Sequence, residues 1–66
     1  MKVRINGLEK EFPASLNLKT IVGQFCKDTR HVIAEVNGDI VKSAQWEEKN
    51  LKSGDSIELV NFVGGG

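Results

Sequence analysis

The residues with the clearest chemical potential are few: one thiol, Cys26, one imidazole, His31, and three glycines, Gly64, Gly65 and Gly66, closing the 66-residue sequence. A thiolate is a nucleophile and metal ligand, and imidazole a base near neutral pH. One of each cannot assemble a Cys/His metal cluster, and a lone cysteine forms no internal disulfide. No Ser/His/Asp arrangement or paired-carboxylate cleft can be built with any specificity. The glycines stand at the wrong end for a phosphate-cradling loop, which needs a helix after it. No catalytic residue and no metal site are therefore expected.

The glycines have a different use. They lose the most backbone entropy on ordering and contribute no side chain to packing, so a mobile tail is expected over residues 63–66. A tail without β-carbons can enter a channel that rejects any side chain and carry a terminal carboxylate to a buried active site. From Val63 to Gly66 the extended reach is about 13–14 Å at the usual rise per residue. The plainer reading is a chain cut within a glycine linker, or ordinary fraying.

Something must position that tail. At this length only one small domain can form, expected over residues 1–62. Hydrophobic residues make up 39%, and nine Lys+Arg balance nine Asp+Glu, so the formal net charge is zero. That composition supports folding and lacks the positive field that non-specific nucleic-acid or anionic-membrane binding requires. No apolar run approaches a membrane span, and Met1-Lys2-Val3-Arg4 alternates where a signal peptide would be continuously apolar. A monomeric, cytoplasmic chain is expected, with neither nucleic acid nor membrane as partner.

Val3 and Ile5 alternate with Lys2 and Arg4 ahead of Asn6-Gly7, a dipeptide suited to a type I′ turn. A returning strand from Leu8 to Phe12 would end at Pro13, which has no amide hydrogen to donate. Leu18, Ile21, Val22, Phe25 and Cys26 then fall on one face of an α-helix, with Asn17 as its N-cap. Val32, Ala34 and Val36 alternate ahead of a second turn, Asn37-Gly38, and a short apolar pair, Ile40-Val41. Trp46 and Leu51 are placed to close a core from a loop. Ser53-Gly54-Asp55 reads as a turn before a last strand, Ser56 to Phe62.

On that strand Ile57 and Leu59 share one face, so Val60 and Phe62 fall beside Glu58 on the other. Two large apolar side chains are left outward. Isolated exposed hydrophobes are common; the sharper reading is a docking patch, Val60, Phe62 and Val63, leading into the glycines. Hairpin, helix, second strand pair and final strand make the order of the β-grasp, or ubiquitin-like, fold. This is an α+β architecture: a mixed sheet with one main amphipathic helix packed on one face.

The closing stretch from Gly54-Asp55-Ser56-Ile57-Glu58-Leu59 through Val60-Asn61-Phe62-Val63 to Gly64-Gly65-Gly66 resembles the ThiS family. Val36-Asn37-Gly38, Ile40-Val41 and Trp46 precede it in the same order. These are the ubiquitin-like sulfur carriers of thiamine thiazole biosynthesis, and the resemblance covers essentially the whole chain. One departure is Lys42-Ser43, where many members carry Pro-Arg. The resemblance implies that a ThiF-like adenylating enzyme uses ATP and magnesium to activate the Gly66 carboxylate. A persulfide sulfur drawn from cysteine through a desulfurase then displaces AMP, leaving a thiocarboxylate for a ThiG-like thiazole synthase. On this view Gly66 carries the sulfur, Gly64 and Gly65 thread the partner's active site, and the chain is a cosubstrate, not an enzyme, with no bound cofactor of its own.

The alternatives are a MoaD-type small subunit of molybdopterin synthase, a ubiquitin-like modifier, and a sulfur carrier for another pathway. MoaD-type chains are usually longer, with an extra helical segment where this one has only about ten residues between Val41 and Leu51. Cys26 is expected to act as a small buried hydrophobe on the helix stripe. His31 is expected in a solvated loop, and Lys10, Lys19, Lys27, Lys42, Lys49 and Lys52 on a solvated surface, some of them available to steer an acidic partner.

Overall fold

The computed structural model describes residues 1–61, so Phe62, Val63 and the three glycines lie outside the described residues. Strands β1 (Lys2–Ile5) and β2 (Leu8–Glu11) form the first hairpin, followed by α1 (Leu18–Phe25). Strands β3 (Val32–Val36) and β4 (Asp39–Val41) form the second hairpin, and β5 (Ser56–Asn61) is the last strand. Both hairpin turns have the positive φ that a type I′ turn demands at each centre: 50° and 83° at Asn6 and Gly7, 54° and 89° at Asn37 and Gly38.

The sheet order is β2-β1-β5-β3-β4. β5 therefore lies in the middle, parallel to β1 and antiparallel to β3. Val3 and Ile5, Val32, Ala34 and Val36, and Ile57 and Leu59 point to one face and bury against Leu18, Ile21 and Val22 of α1. This is the ubiquitin-like mixed sheet with one helix on one face. The helix starts where Asn17 Oδ1 accepts the Thr20 amide at 2.8 Å, satisfying a donor that otherwise has no partner in the first turn. Trp46 and Leu51 close the core, 5% and 1% exposed. The indole Nε1–H of Trp46 donates to the Val41 carbonyl at 2.8 Å, which makes burial of its polar end tolerable.

Two sequence expectations need correction. The helix stops at Phe25, and Cys26 is its C-cap in an extended conformation, φ −132°. The Cys26 amide still donates to the Val22 carbonyl at 2.9 Å, closing the last turn, so the side chain packs half-buried against the core from outside the helix. The stripe also overruns the sheet: Phe25 is 44% and Leu8 64% exposed. Leu8 opens the edge strand β2, all four of whose residues are exposed. Phe12 lies just past β2 and packs partly against the core.

Candidate functional site

The strand that leads to the glycines is the element whose placement matters, and the register of β5 is fixed from both sides. Arg4 and Ile5 pair with Ser56 and Ile57, and β3 pairs with β5 from Val36–Ile57 to Val32–Asn61. A one-residue slip would turn Ile57 and Leu59 out of the core, so the inward pattern holds the register.

Two turn asparagines reinforce it. Asn37 donates its backbone amide to the Ser56 carbonyl at 2.7 Å, and its Oδ1 accepts the Ser56 amide at 2.9 Å. Asn6 holds the next stretch of the strand: its amide donates to the Ile57 carbonyl at 2.9 Å. Its Oδ1 accepts the Leu59 amide at 2.7 Å, and its Nδ2 donates to the Leu59 carbonyl at 3.2 Å. The asparagines thus clasp β5 at its start and at its middle. Sequence reasoning took both only as turn formers. The available signal was the repeated apolar-Asn-Gly step, where any residue tolerating positive φ would serve the turn but only an amide can serve the neighbouring strand.

Asp55 completes the entry to β5. It is 7% exposed and accepts from Asn37 Nδ2 at 3.0 Å and from the Lys52 amide at 2.8 Å. Burial pushes its carboxyl up, but the hydrogen bonds from Asn37 and the Lys52 backbone outweigh that and hold it below the usual carboxylate range.

The sheet face away from α1 carries the expected outward residue. Val60 is 53% exposed and sits directly opposite Ile33, 40% exposed. Ile40 on β4 is 66% exposed, in register with Glu35, which itself faces Glu58. The outer face therefore presents an apolar pair beside the last described residue of β5, with an acidic pair one step back along the strands. Phe62 and Val63, expected to dock a partner, Gly64 and Gly65, expected to thread its active site, and Gly66, expected to carry sulfur, lie outside the described residues.

The remaining reactive groups do not converge. Cys26 sits at the end of α1. His31 closes the short 3-10 turn Thr29–His31, with Nδ1 3.9 Å from Asp28 Oδ2. Arg30 donates to Asp28 through Nε at 3.0 Å and Nη2 at 2.9 Å. Those hydrogen bonds hold the Asp28 carboxyl far below its ordinary range, so Asp28 is a local staple for the turn into β3. Among the described residues no group of three or more His, Cys, Asp or Glu side chains could hold a metal ion, and no helix is long and apolar enough to cross a membrane.

A model of the ThiS family matches residues 3–66. A thiazole synthase of Paramagnetospirillum magneticum is 38% identical over 66 residues, all of this chain and 20% of that protein. The chain thus spans about a fifth of the length of that relative. The uncharacterized protein ycf40 of Trieres chinensis is 32% identical over 62 residues, 94% of this chain and 85% of that one. Among solved structures, the crystal structure of the thiamine biosynthesis protein ThiS from Geobacter metallireducens superposes with a TM-score of 0.85 at 26% identity, covering 100% of both chains. The solution structure of a thiamine biosynthesis protein from the same organism gives 0.80 at 26% identity, covering 100% of this chain and 88% of that one.

Proposed function

The chain belongs to the ThiS family, and from that membership we propose that it is the sulfur carrier of thiamine thiazole synthesis, a protein cosubstrate that catalyses nothing itself. The observation that carries this reading is the family match over residues 3–66, which takes in the strand and the glycines together.

Gly66 is the reacting residue. Its carboxylate is a poor acyl donor because its charge repels nucleophiles and oxide would have to leave. A ThiF-like adenylating enzyme therefore joins it to AMP, consuming ATP with magnesium and releasing pyrophosphate. A persulfide sulfur supplied by way of a cysteine desulfurase attacks the acyl carbon, and AMP departs. Scission of the remaining sulfur–sulfur bond by a second thiol leaves the C-terminal thiocarboxylate. A ThiG-like thiazole synthase takes that sulfur into the thiazole ring, and the relative that joins a ThiS-like stretch to a thiazole synthase in one polypeptide supports this pairing. All of these steps are placed in the cytoplasm.

Gly64 and Gly65 give the tail its narrow profile, while Val60, Phe62 and Val63 dock it. The exposed Val60–Ile33 pair supports that docking role, since it continues the apolar character of the sequence that follows. The test is ATP–pyrophosphate exchange by the activating enzyme. Exchange should depend on this chain and vanish when Gly65 and Gly66 are removed; exchange indifferent to the glycines would end the proposal.

A further inference from the structure

The first hairpin leaves one edge of the sheet open beside a groove that the sulfur-carrier reading does not use. β2 is an outermost strand, hydrogen-bonded only to β1. The Phe12 amide donates to the Met1 carbonyl and the Met1 ammonium to the Phe12 carbonyl, both at 2.8 Å. With Val3 opposite Lys10 and Ile5 opposite Leu8, the alternation of an antiparallel ladder leaves the backbone N–H and C=O of Glu9 and Glu11 facing the open edge. Below that edge, on the helix side of the sheet, lies a groove of about 380 Å³. Leu8, Phe25 and Cys26 supply apolar wall, Asn61 also lines it, and Lys10 is the one charged residue in the lining among the described residues. Among the described residues Lys10 has no ion-pair partner.

We propose that the β2 edge and the Leu8–Phe25 groove bind an extended segment of a partner protein by strand addition. The segment hydrogen-bonds to the Glu9 and Glu11 backbone, lays an apolar side chain on Leu8 and Phe25, and sets a carboxylate against Lys10. Three features select this occupant. An open edge with unpaired backbone groups templates another strand. The period of two in that strand puts alternate side chains into the groove. A lone cation in an otherwise uncharged lining calls for an anion. The groove lies on the opposite face from Val60 and Ile33, so a segment held there leaves the outer sheet free for a second partner.

The probe is a blocked heptapeptide in which threonines alternate with valine, glutamate and valine, titrated into the uniformly nitrogen-15-labelled chain and followed by amide shifts. The control peptide exchanges the glutamate with its neighbouring threonine, moving the charge to the other face. The expected result is saturable movement of the Glu9 and Glu11 amides with Phe25 and Cys26, weaker binding by the control, about threefold loss in Lys10→Ala, and no binding by Leu8→Asp. Both substituted positions are exposed, so the variants keep the wild-type spectrum elsewhere. Shifts centred on Ile33 and Val60, equal binding of the two peptides, or no shifts at millimolar peptide would overturn the proposal.

Discussion

Asn6 pairs through both ends of its carboxamide with the peptide of Leu59: Oδ1 accepts the amide at 2.7 Å and Nδ2 donates to the carbonyl at 3.2 Å. A residue in a hairpin turn thereby extends the β1–β5 ladder past the point where the β1 backbone turns away. Its counterpart, Asn37, holds Ser56. The strand that ends in the glycine tail is thus fastened by side chains as well as by its neighbours' backbones.

Asn6→Gly keeps the positive φ without strain, deletes the side-chain clasp and adds glycine's larger entropy loss on folding. It is expected to destabilise the fold by about 1–3 kcal/mol, two ordinary hydrogen bonds together with that entropy. Hydrogen exchange should accelerate at Leu59 and Val60 more than at Val32 or Ala34. Uniform acceleration across the sheet would mean that Asn6 acts through global stability alone.

Asp55 gives a pH signature. Its carboxyl is held below the ordinary value in the folded chain, so its stabilisation is complete above the unfolded value, about pH 4. That stabilisation is lost as pH falls through the lowered folded value. Asp55→Ala removes the acceptor for Asn37 and the Lys52 amide and should cost about 1–3 kcal/mol at neutral pH. The gap between wild type and variant should narrow below pH 4 in urea unfolding curves; a constant gap would contradict the assignment.

Val60→Ala and Ile33→Ala test the outer face. Both residues are substantially exposed, so each change should cost less than about 1 kcal/mol in fold stability. Each should weaken binding to the activating enzyme about tenfold, the loss of a modest interface anchor. Phe62→Ala should behave in the same way. Unchanged affinity by calorimetry in all three would remove the docking role of this face.

Cys26→Ala addresses the thiol. With Cys26 packed half-buried at the end of α1, sulfur loading of the chain should proceed at the wild-type rate, and the substitution should lower fold stability by no more than about 1.5 kcal/mol. Loss of loading in a folded Cys26→Ala chain, monitored by the rate of product formation, would make the thiol a relay.

Much of this architecture was legible in the residues. Alternation at Val3/Ile5, Val32/Ala34/Val36 and Ile57/Leu59 identified the strands and their inward faces, because period two leaves no other way to bury them. Asn6-Gly7 and Asn37-Gly38 fixed the hairpins, and the outward phase of Val60 followed from Glu58. What periodicity could not supply was the lateral extent of the layers. Leu8 and Phe25 fit the apolar pattern yet lie exposed, because whether α1 covers the outermost strand is a tertiary matter. The same limit hid the asparagine clasps, which join residues 53 and 19 positions apart in sequence. The docking residues beyond Asn61 rest on strand phase and family resemblance alone.

The central claim is that sulfur is carried on Gly66. The direct measurement is intact and peptide-level mass spectrometry after incubation with the activating enzyme, ATP and a persulfide source. Localisation to a peptide is needed because exchanging oxygen for sulfur adds nearly the same nominal mass as oxidising Met1 or Cys26. The account predicts the added mass on the Gly66 peptide, absent without ATP and absent when Gly66 is deleted. A plain Gly66 carboxylate under conditions that load an authentic carrier, or sulfur found on Cys26 instead, would contradict it.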